Sequence, residues 1–344
     1  MIYCDYNATT PMVDDVLHIV VETMKHTWGN SFSPHSLGRK ASVLVEEARS
    51  QVAELVGTSP RHVRFTSGAT EANSWVLQAF AKKGSIYTSS VEHPSVLQYS
   101  DVQIPTDQHG VVDVVELKRM IVEAKPSLVS VMAANNETGV VQPIDIIYNL
   151  CHEYHIPFHC DATQVYGKID MKIQADFITS SAHKFGGPKG VGALILNTEI
   201  EPLLRGGPQE RLSRGGTHNV PGIVGMGKAA ALVQSMVSKK RDMLEDVVER
   251  HGGKVLGKGA KERLPNTVCA LFSIPGDMIV MALDMQGVCA STGAACSSGG
   301  SKESHVIQAM GEKGIPVRFS FGAQTDVASL CTILERVLVS MEQI

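Results

Sequence analysis

Short apolar segments alternate with longer segments of helical period along the first 200 or so residues of this 344-residue chain. The apolar runs have the length of strands, and they end in small or polar residues. Strands that alternate with helices form a mostly parallel sheet with helices on both faces, because parallel strands need long crossover connections. We therefore predict an α/β fold with seven strands, at residues 62–67, 85–90, 102–106, 128–134, 157–161, 176–181 and 192–196.

The pattern changes after about residue 235, where we predict a second, smaller α+β portion. Residues 38–56 carry the clearest amphipathic helix of the first portion. A long polar helix at 233–250 then leads into a link rich in glycine and lysine at 252–259, and a helix from about residue 325 closes the chain. The chain thus divides into a large domain followed by a small one.

Charge and composition exclude several classes of protein. Lys and Arg number 31 against 35 Asp and Glu, so the net charge is −4, and 43% of the residues are apolar. A near-neutral chain lacks the clustered basic charge that nucleic-acid binding needs, and the apolar content excludes disorder. We find no secretory signal and no run of about 18 apolar residues that could span a membrane. Seven scattered cysteines indicate free thiols in a reducing compartment, so we expect a cytoplasmic protein without nucleic-acid or membrane partners.

Two segments place polar groups where predicted strands end. Residues 65–72 join a strand to a helix through small residues, which is typical either of an anion site or of an ordinary capped turn. Asp161 ends another buried strand. Because a buried carboxylate is costly without donors or a cation, Asp161 indicates either a ligand site or a structural salt bridge.

A lysine and a cysteine are the candidate reactive groups. Lys184 ends a strand before the Gly/Pro loop 186–190, where loss of water would lower its pKa and suit Schiff-base chemistry; the alternative is a lysine that extends into solvent. Cys296 lies in a run of small residues, 290–301, which favours an exposed, reactive thiol. The remaining cysteines stand mostly in apolar contexts and are expected to be inert: Cys4, Cys151, Cys160, Cys269, Cys289 and Cys331.

Residues 151–161 are rich in metal-ligand types, but we predict no metal site there. His152 and His155 end a predicted helix, and Pro157 breaks it. Alternate residues of the strand that follows point to opposite faces of the sheet, so these side chains do not converge on one ion.

These segments together resemble one family, the pyridoxal-phosphate-dependent cysteine desulfurases of the class V aminotransferase group. The resemblance implies the fold type I of pyridoxal-phosphate-dependent transferases, with a large domain at 13–234 and a small domain of residues 1–12 and 235–344 that carries the cysteine loop. The matching segments follow the family's order over nearly the whole chain: 5–11, 29–30, 38–39, 65–71, 92–93, 135–139, 161–164, 181–184, 186–190, 214–217, 291–298 and 318–322.

The resemblance implies a role for each matching polar residue. Lys184 would bind pyridoxal 5'-phosphate as a Schiff base, and Asp161 would keep the ring nitrogen protonated. His93 would stack on the ring, and Gln164 would bind the ring hydroxyl. Ala69, Thr70, Ser181 and His183 would bind the phosphate, with Thr217 reaching in from the partner of a homodimer. Asn136 and Arg318 would bind the substrate carboxylate, and Asn136 would also contact the cofactor.

The implied reaction converts L-cysteine to L-alanine and leaves the sulfur as a persulfide on Cys296. A sulfur-acceptor protein, for example in iron–sulfur assembly, would then receive it. Selenocysteine lyase, an aminotransferase and a cofactor-free binding protein are the alternatives, although Lys184, Asp161, His93 and Cys296 together argue against the last. Three departures from the family pattern are Ala-Gln at 323–324, Arg-Gly-Gly-Thr at 214–217 and an end directly after the last predicted helix. The third of these favours a dedicated sulfur acceptor.

Overall fold

Seven strands form the central sheet in the computed structural model, which describes residues 1–293 and 303–341. Strand β8 pairs antiparallel with both of its neighbours, and all other neighbours pair parallel. All seven predicted strands are present, so the predicted mostly parallel sheet is confirmed. The order across the sheet is β2 (Val63–Thr66), β8 (Gly192–Leu196), β7 (Phe177–Ser181), β6 (Phe158–Asp161), β5 (Leu128–Ser130), β3 (Ile86–Ser89) and β4 (Val102–Ile104).

Helices cover both faces of this sheet. Adjacent residues of one strand belong to different apolar clusters, such as Leu194 and Ile195, because successive side chains point to opposite faces. Helix α3 packs on one face, and α1, α2, α5, α6 and α7 contribute to the cluster on the other. These helices, with the one-turn α4, are α1 (Asp14–His26), α2 (Ser36–Val56), α3 (Ala69–Ala81), α4 (Pro94–Leu97), α5 (Val114–Glu123), α6 (Ile144–Glu153) and α7 (Val220–Leu232).

Helix α7 was not predicted, because its glycines weaken the helical signal. The same glycines explain its position. A Cβ on Gly227 would stand 2.5 Å from the Cα of Ala48 in α2, and a Cβ on Gly225 would stand 2.6 Å from Cγ2 of Val20 in α1. The glycines therefore lower the intrinsic helix propensity of α7 but allow close contact with α1 and α2.

A second apolar core forms around a three-stranded antiparallel sheet and a two-stranded parallel one. Strand β1 pairs with β11, so the first residues of the chain join this second core, and Cys4 is fully buried in it. The domain boundaries proposed above stay a prediction. The elements of this part are β1 (Ile2–Tyr3), α8 (Lys239–Arg250), β9 (Lys254–Val255), β10 (Thr267–Leu271), α9 (Gly276–Met285), β11 (Val288–Cys289), α10 (His305–Ala309), β12 (Val317–Ser320) and α11 (Val327–Met341).

The polar helix predicted at 233–250 begins later than expected, at Lys239. Residue Val233 is extended, and the Met236 amide donates to the carbonyl of Lys168 at 2.9 Å instead of to a helical acceptor. This link therefore contacts the loop after β6, and Met236 also packs against the second core. None of the helices in the described part of the chain combines the length and the apolar character needed to cross a lipid bilayer.

Candidate active site

A cavity of about 800 Å³ lies beyond the carboxyl ends of the central strands and is closed from the other side by Arg318 of β12. Open α/β sheets bind ligands at this edge. The structure brings ten predicted residues together around it, namely Ala69, Thr70, His93, Asn136, Asp161, Gln164, Ser181, His183, Lys184 and Arg318.

Two predicted residues are not part of this cavity as described. Thr217 is exposed and lies outside the lining of the cavity in its own chain. Cys296 lies outside the described residues. Among the other cysteines, Cys4, Cys151, Cys160 and Cys269 are buried as expected, whereas Cys289 and Cys331 are only partly buried. Burial raises the pKa of the Cys4 and Cys151 thiols to about 12, which keeps them protonated and inert.

Asp161 faces the cavity from the end of β6 and is 5% exposed. Its Oδ2 accepts a hydrogen bond from Asn73 Nδ2 at 2.7 Å, and its Oδ1 accepts one from the Thr163 amide at 3.0 Å. Among the described residues it forms no ion pair, so the structural salt bridge considered above is absent there. Neutral donors hold this carboxylate in place and leave its charge uncompensated, which suits a protonated ring nitrogen of a ligand.

His93 lines the cavity directly before the short helix α4. The Ser95 amide donates to His93 Nδ1 at 3.1 Å, which places the ring proton on Nε2. Burial lowers the pKa of His93, and the nearby Lys184 and His305 lower it further against the opposing effect of Asp161. The imidazole is therefore neutral near pH 7 and presents a flat, uncharged ring to the cavity.

Glu92, next to His93, is a fully buried carboxyl that the sequence analysis did not single out. Its Oε1 accepts from Ser89 Oγ at 2.6 Å and from the Met132 amide at 2.7 Å, whereas Oε2 has no partner in the described part of the chain. Burial, assisted by the charge of Asp161, raises the pKa of Glu92 to about 8. The group is therefore mostly protonated in the folded protein at neutral pH.

We predict that Glu92→Gln removes a loss of stability at alkaline pH. The pKa of Glu92 is about 8 in the folded chain against 4.5 for an ordinary glutamate, so folding binds a proton in this range. The stabilising effect is complete below pH 4.5 and is lost as the pH rises through 8, on the order of 3 kcal/mol between pH 5.5 and 8. Urea unfolding at both pH values measures it: the variant should lose less stability than the wild type, and parallel losses would contradict the assignment.

Contrary to expectation, Lys184 does not lie at the end of the strand itself, because β7 ends at Ser181 and Lys184 follows in a single 3-10 turn, Ala182–Lys184. Its Nζ donates to the carbonyl oxygens of Asn7 at 2.6 Å and Ala8 at 2.9 Å. The N-terminal segment thus crosses the cavity and binds the amine through main-chain oxygens. This arrangement directs Nζ into the cavity that Asp161 and His93 also line.

The turn between β2 and α3 forms an anion-binding end of the cavity. Gly68 precedes α3, and no side chain in the described part of the chain caps this 13-residue helix. Gly192 of β8 packs against Gly68 so closely that a Cβ on Gly192 would stand 2.7 Å from the Gly68 Cα. Thr70 and Ser181 add hydroxyl groups to the uncapped helix N-terminus, so the anion site considered for residues 65–72 fits the structure better than a capped turn.

His183 lies at this end of the cavity in its neutral form. Burial lowers the pKa of His183 to about 4, with the charges of Lys184 and Lys189 adding to the effect. Its Nδ1 lies 3.1 Å from Thr9 Oγ1. The imidazole can therefore donate or accept a hydrogen bond toward an anion without bringing a positive charge.

Arg318 is 2% exposed and occupies the opposite wall, in β12. Its Nη2 donates to Asp5 Oδ1 at 2.6 Å, and Nη1 donates to the carbonyl oxygens of Asn136 at 3.0 Å and Gly293 at 3.2 Å. Its Nε has no hydrogen-bond partner within the described ranges. A buried guanidinium with a remaining donor suits a ligand carboxylate.

The histidine-rich segment at 151–161 contributes hydrogen bonds to the central sheet through His159. His159 is fully buried in β6, with Nδ1 at 2.8 Å from Ser130 Oγ and Nε2 at 3.0 Å from Thr179 Oγ1. Burial lowers the pKa of His159 to about 4, so it is a neutral hydrogen-bonding link between three strands. Over residues 1–293 and 303–341, no group of three His, Cys, Asp or Glu side chains converges as a metal site would require.

The sequence analysis missed four residues of the site's buried polar network. They are Asn7, Asn73, Glu92 and Lys168, each at most 3% exposed. Asn7, Glu92 and Lys168 lie in turns or loops, and Asn73 is one polar residue on helix α3, so no local pattern marks any of the four as part of the site. The one available signal was the resemblance in segments 5–11 and 92–93, which covers Asn7 and Glu92 only.

The fold and the cavity define an α/β protein with a lysine amine, a buried carboxylate and an anion site around one ligand cavity. Residues 2–330 match the family described as class-V aminotransferase, and the chain belongs to this family. The family predicted from the sequence is thereby confirmed.

Curated relatives and solved structures agree with this assignment. The chain is similar to a cysteine desulfurase of Cereibacter sphaeroides, at 39% identity over 97% of this chain and 94% of the relative. It is also similar to the cysteine desulfurase IscS of Dictyoglomus turgidum, at 36% identity over 100% of this chain and 96% of the relative. The solved structure of a NifS-like protein superimposes with a TM-score of 0.91 at 31% identity and covers 100% of both chains.

Proposed function

We propose that this chain is a cysteine desulfurase that uses pyridoxal 5'-phosphate and transfers sulfur through Cys296. The observation that carries the proposal is that Lys184, Asp161 and the uncapped N-terminus of α3 line one cavity. An amine, a carboxylate and an anion site are the three groups that this phosphorylated, nitrogen-containing ring requires. The names of the similar relatives supply the substrate, L-cysteine.

The residues of the cavity would hold the cofactor by its separate groups. The phosphate fits the N-terminus of α3 with Ala69 and Thr70, beside the side chains of Ser181 and His183, and Thr217 of a second subunit would complete this end. Asp161 fits the ring nitrogen, and the neutral His93 fits the ring face. Gln164 fits the ring hydroxyl, and Asn136, which also lines the cavity, would contact both the ring and the substrate.

When bound to the Lys184 amine, pyridoxal phosphate withdraws electrons from the bonds around the substrate's Cα and weakens the bond between Cβ and sulfur. The chain's own residues orient the substrate and move protons. Arg318 and Asn136 hold the carboxylate, and the Lys184 amine moves the proton at Cα. Asp161 would accept the hydrogen bond of the ring nitrogen and so hold its proton.

Cys296 would accept the sulfur. Its thiolate attacks the substrate's sulfur, the bond between Cβ and sulfur breaks, and a bond between two sulfur atoms forms on Cys296. L-cysteine and the Cys296 thiol thus yield L-alanine and a persulfide, so atoms and electrons balance without another reactant. An acceptor protein in the cytoplasm would then take the outer sulfur, and iron–sulfur cluster assembly is one process that consumes it.

Assays of alanine release test this function and separate it from the alternatives. The purified chain with pyridoxal phosphate should release alanine from L-cysteine and gain one sulfur atom on the peptide that contains Cys296, as seen by mass spectrometry. Alanine release from selenocysteine alone would indicate a selenocysteine lyase. Amino transfer to an oxo acid without added sulfur on Cys296 would indicate an aminotransferase and contradict the proposal.

We further propose that two copies form a homodimer through the exposed apolar face of α1. Leu17, Val21 and Met24 follow one another at helical spacing on α1 and are 49%, 37% and 65% exposed, and Trp28, two residues beyond the end of the helix at His26, is 74% exposed. Such a stripe on a helix is unusual for a surface that faces only water. Since Thr217 is not among the residues that line its own cavity, a second subunit would also be the source of the threonine at the phosphate end.

We predict that Trp28→Glu weakens this dimer by at least about tenfold, because it places a charge among apolar side chains. Sedimentation measurements over a range of protein concentrations determine the dissociation constant. Val115→Glu on α5 is the matched control, because Val115 is 82% exposed and lies on another helix. An unchanged dimer in the Trp28 variant would show that the interface lies elsewhere.

A further inference from the structure

Lys168 is a buried lysine that the proposed mechanism does not use. It lies after β6, is 3% exposed, and its Nζ donates to Asn7 Oδ1 at 3.0 Å and to Gln164 Oε1. In the described part of the chain no carboxylate pairs with it. Burial lowers the pKa of Lys168 well below its usual range, and the charges of Lys184 and Arg318 act in the same direction. Such a group is costly to bury, so its neighbours indicate what it does.

The neighbours of Lys168 define which way the Gln164 amide faces. Gln164 Oε1 accepts from Lys168, and Gln164 Nε2 donates one hydrogen to the Asn7 carbonyl oxygen at 3.0 Å. The amide nitrogen carries a second hydrogen, and Gln164 lines the cavity. Because the two ends of an amide have nearly the same shape, its partners alone decide which end is presented.

Asn7 connects this amide to the reactive amine. Its carbonyl oxygen accepts from Gln164 Nε2 and from Lys184 Nζ, at 3.0 and 2.6 Å. Its side chain is fixed in turn, because Nδ2 donates to the Asn136 carbonyl at 3.0 Å and to Thr267 Oγ1 at 2.9 Å, which leaves Oδ1 for Lys168. Lys168 therefore lies between two amide oxygens and donates to both.

We propose that Lys168 is a positioning residue that fixes the Gln164 side-chain amide with an N–H toward the ring oxygen of the bound cofactor. The inference rests on the proposed function. A donor at this oxygen lowers its basicity, whereas a reversed amide would present an oxygen and repel it. Lys168 would thus act on the cofactor through Gln164 without touching the substrate.

A double-mutant cycle with Lys168→Met and Gln164→Ala tests this inference. The measurements are the dissociation constant of pyridoxal phosphate and the pH at which the visible absorption of the bound cofactor is half changed. With Gln164 present, Lys168→Met should weaken binding about tenfold and raise that pH by about one pH unit. In the Gln164→Ala background, both effects of Lys168→Met should fall to less than half, because the amide through which Lys168 acts is gone.

The outcomes distinguish this inference from the proposed function. Equal effects of Lys168→Met in both backgrounds would overturn the inference, because Lys168 would then act by charge or packing alone. A wild-type protein that binds no pyridoxal phosphate would overturn the proposed function itself. Lys172→Met, which removes an exposed lysine four positions along, should change neither quantity. Lys168→Leu enters the same cycle if thermal melting shows that the methionine variant does not fold.

Discussion

Replacing Lys184 by alanine should lower the release of alanine from cysteine by more than about 10³-fold and remove the visible absorption of the lysine-bound cofactor. Lys184 is the amine that the main-chain carbonyls of Asn7 and Ala8 direct into the cavity. Its removal takes away both the covalent attachment and the group that moves the proton at Cα. Lys168, the buried lysine nearby, does not replace it, because its amine is bound to Gln164 and Asn7.

Absorption spectra and an alanine assay at saturating pyridoxal phosphate measure this loss. Lys125→Ala is the matched control, because it removes a lysine that is exposed at the surface and should leave both readouts unchanged. Thermal melting of both variants confirms that they fold. Substantial turnover by folded Lys184→Ala would remove the basis of the proposed function.

Replacing Cys296 by alanine should separate cofactor binding from sulfur transfer. The variant should keep the visible absorption, because it leaves unchanged the proposed partners of the cofactor, Lys184, Asp161 and the N-terminus of α3. Release of sulfide or persulfide should fall by at least about 10³-fold, because the sulfur has lost its acceptor. The contrast with Lys184→Ala, which loses both properties, assigns one step to each residue.

Cys331→Ala is the matched control for the thiol. Cys331 is partly buried in α11, and burial together with Glu335 raises its pKa, so it is a poor nucleophile. This variant should acquire the added sulfur on Cys296 as the wild type does. Undiminished sulfide release by Cys296→Ala would refute the assignment of the nucleophile.

The central sheet and the ends of its strands could be predicted from local pattern. The strand that ends at Asp161 and the strand before Lys184 lie where the short apolar segments of the sequence predicted them. The helix predicted at 38–56 is α2, Ser36–Val56. These elements are buried against one another, so their hydrophobic periodicity reports directly on their packing.

The polar network around the cavity could not be predicted in this way. Asn7 contacts Lys168 and Thr267, which lie 161 and 260 residues away along the chain. In the sequence, a buried amide or lysine in a turn cannot be distinguished from a solvated polar residue, because only the fold brings its hydrogen-bond partners close. Helix α7 was not predicted for a related reason, since its glycines are explained only by its close packing against α1 and α2.

The position of Asn7 also sets when the cavity can be completed during synthesis. The main-chain amide of Asn7 donates to Ser320 Oγ at 2.9 Å, across 313 residues of sequence. A nascent chain can form the large sheet early, yet the carbonyl that binds Lys184 gains this support only after the last strand has left the ribosome. Cofactor binding should therefore occur late in the synthesis and folding of this protein.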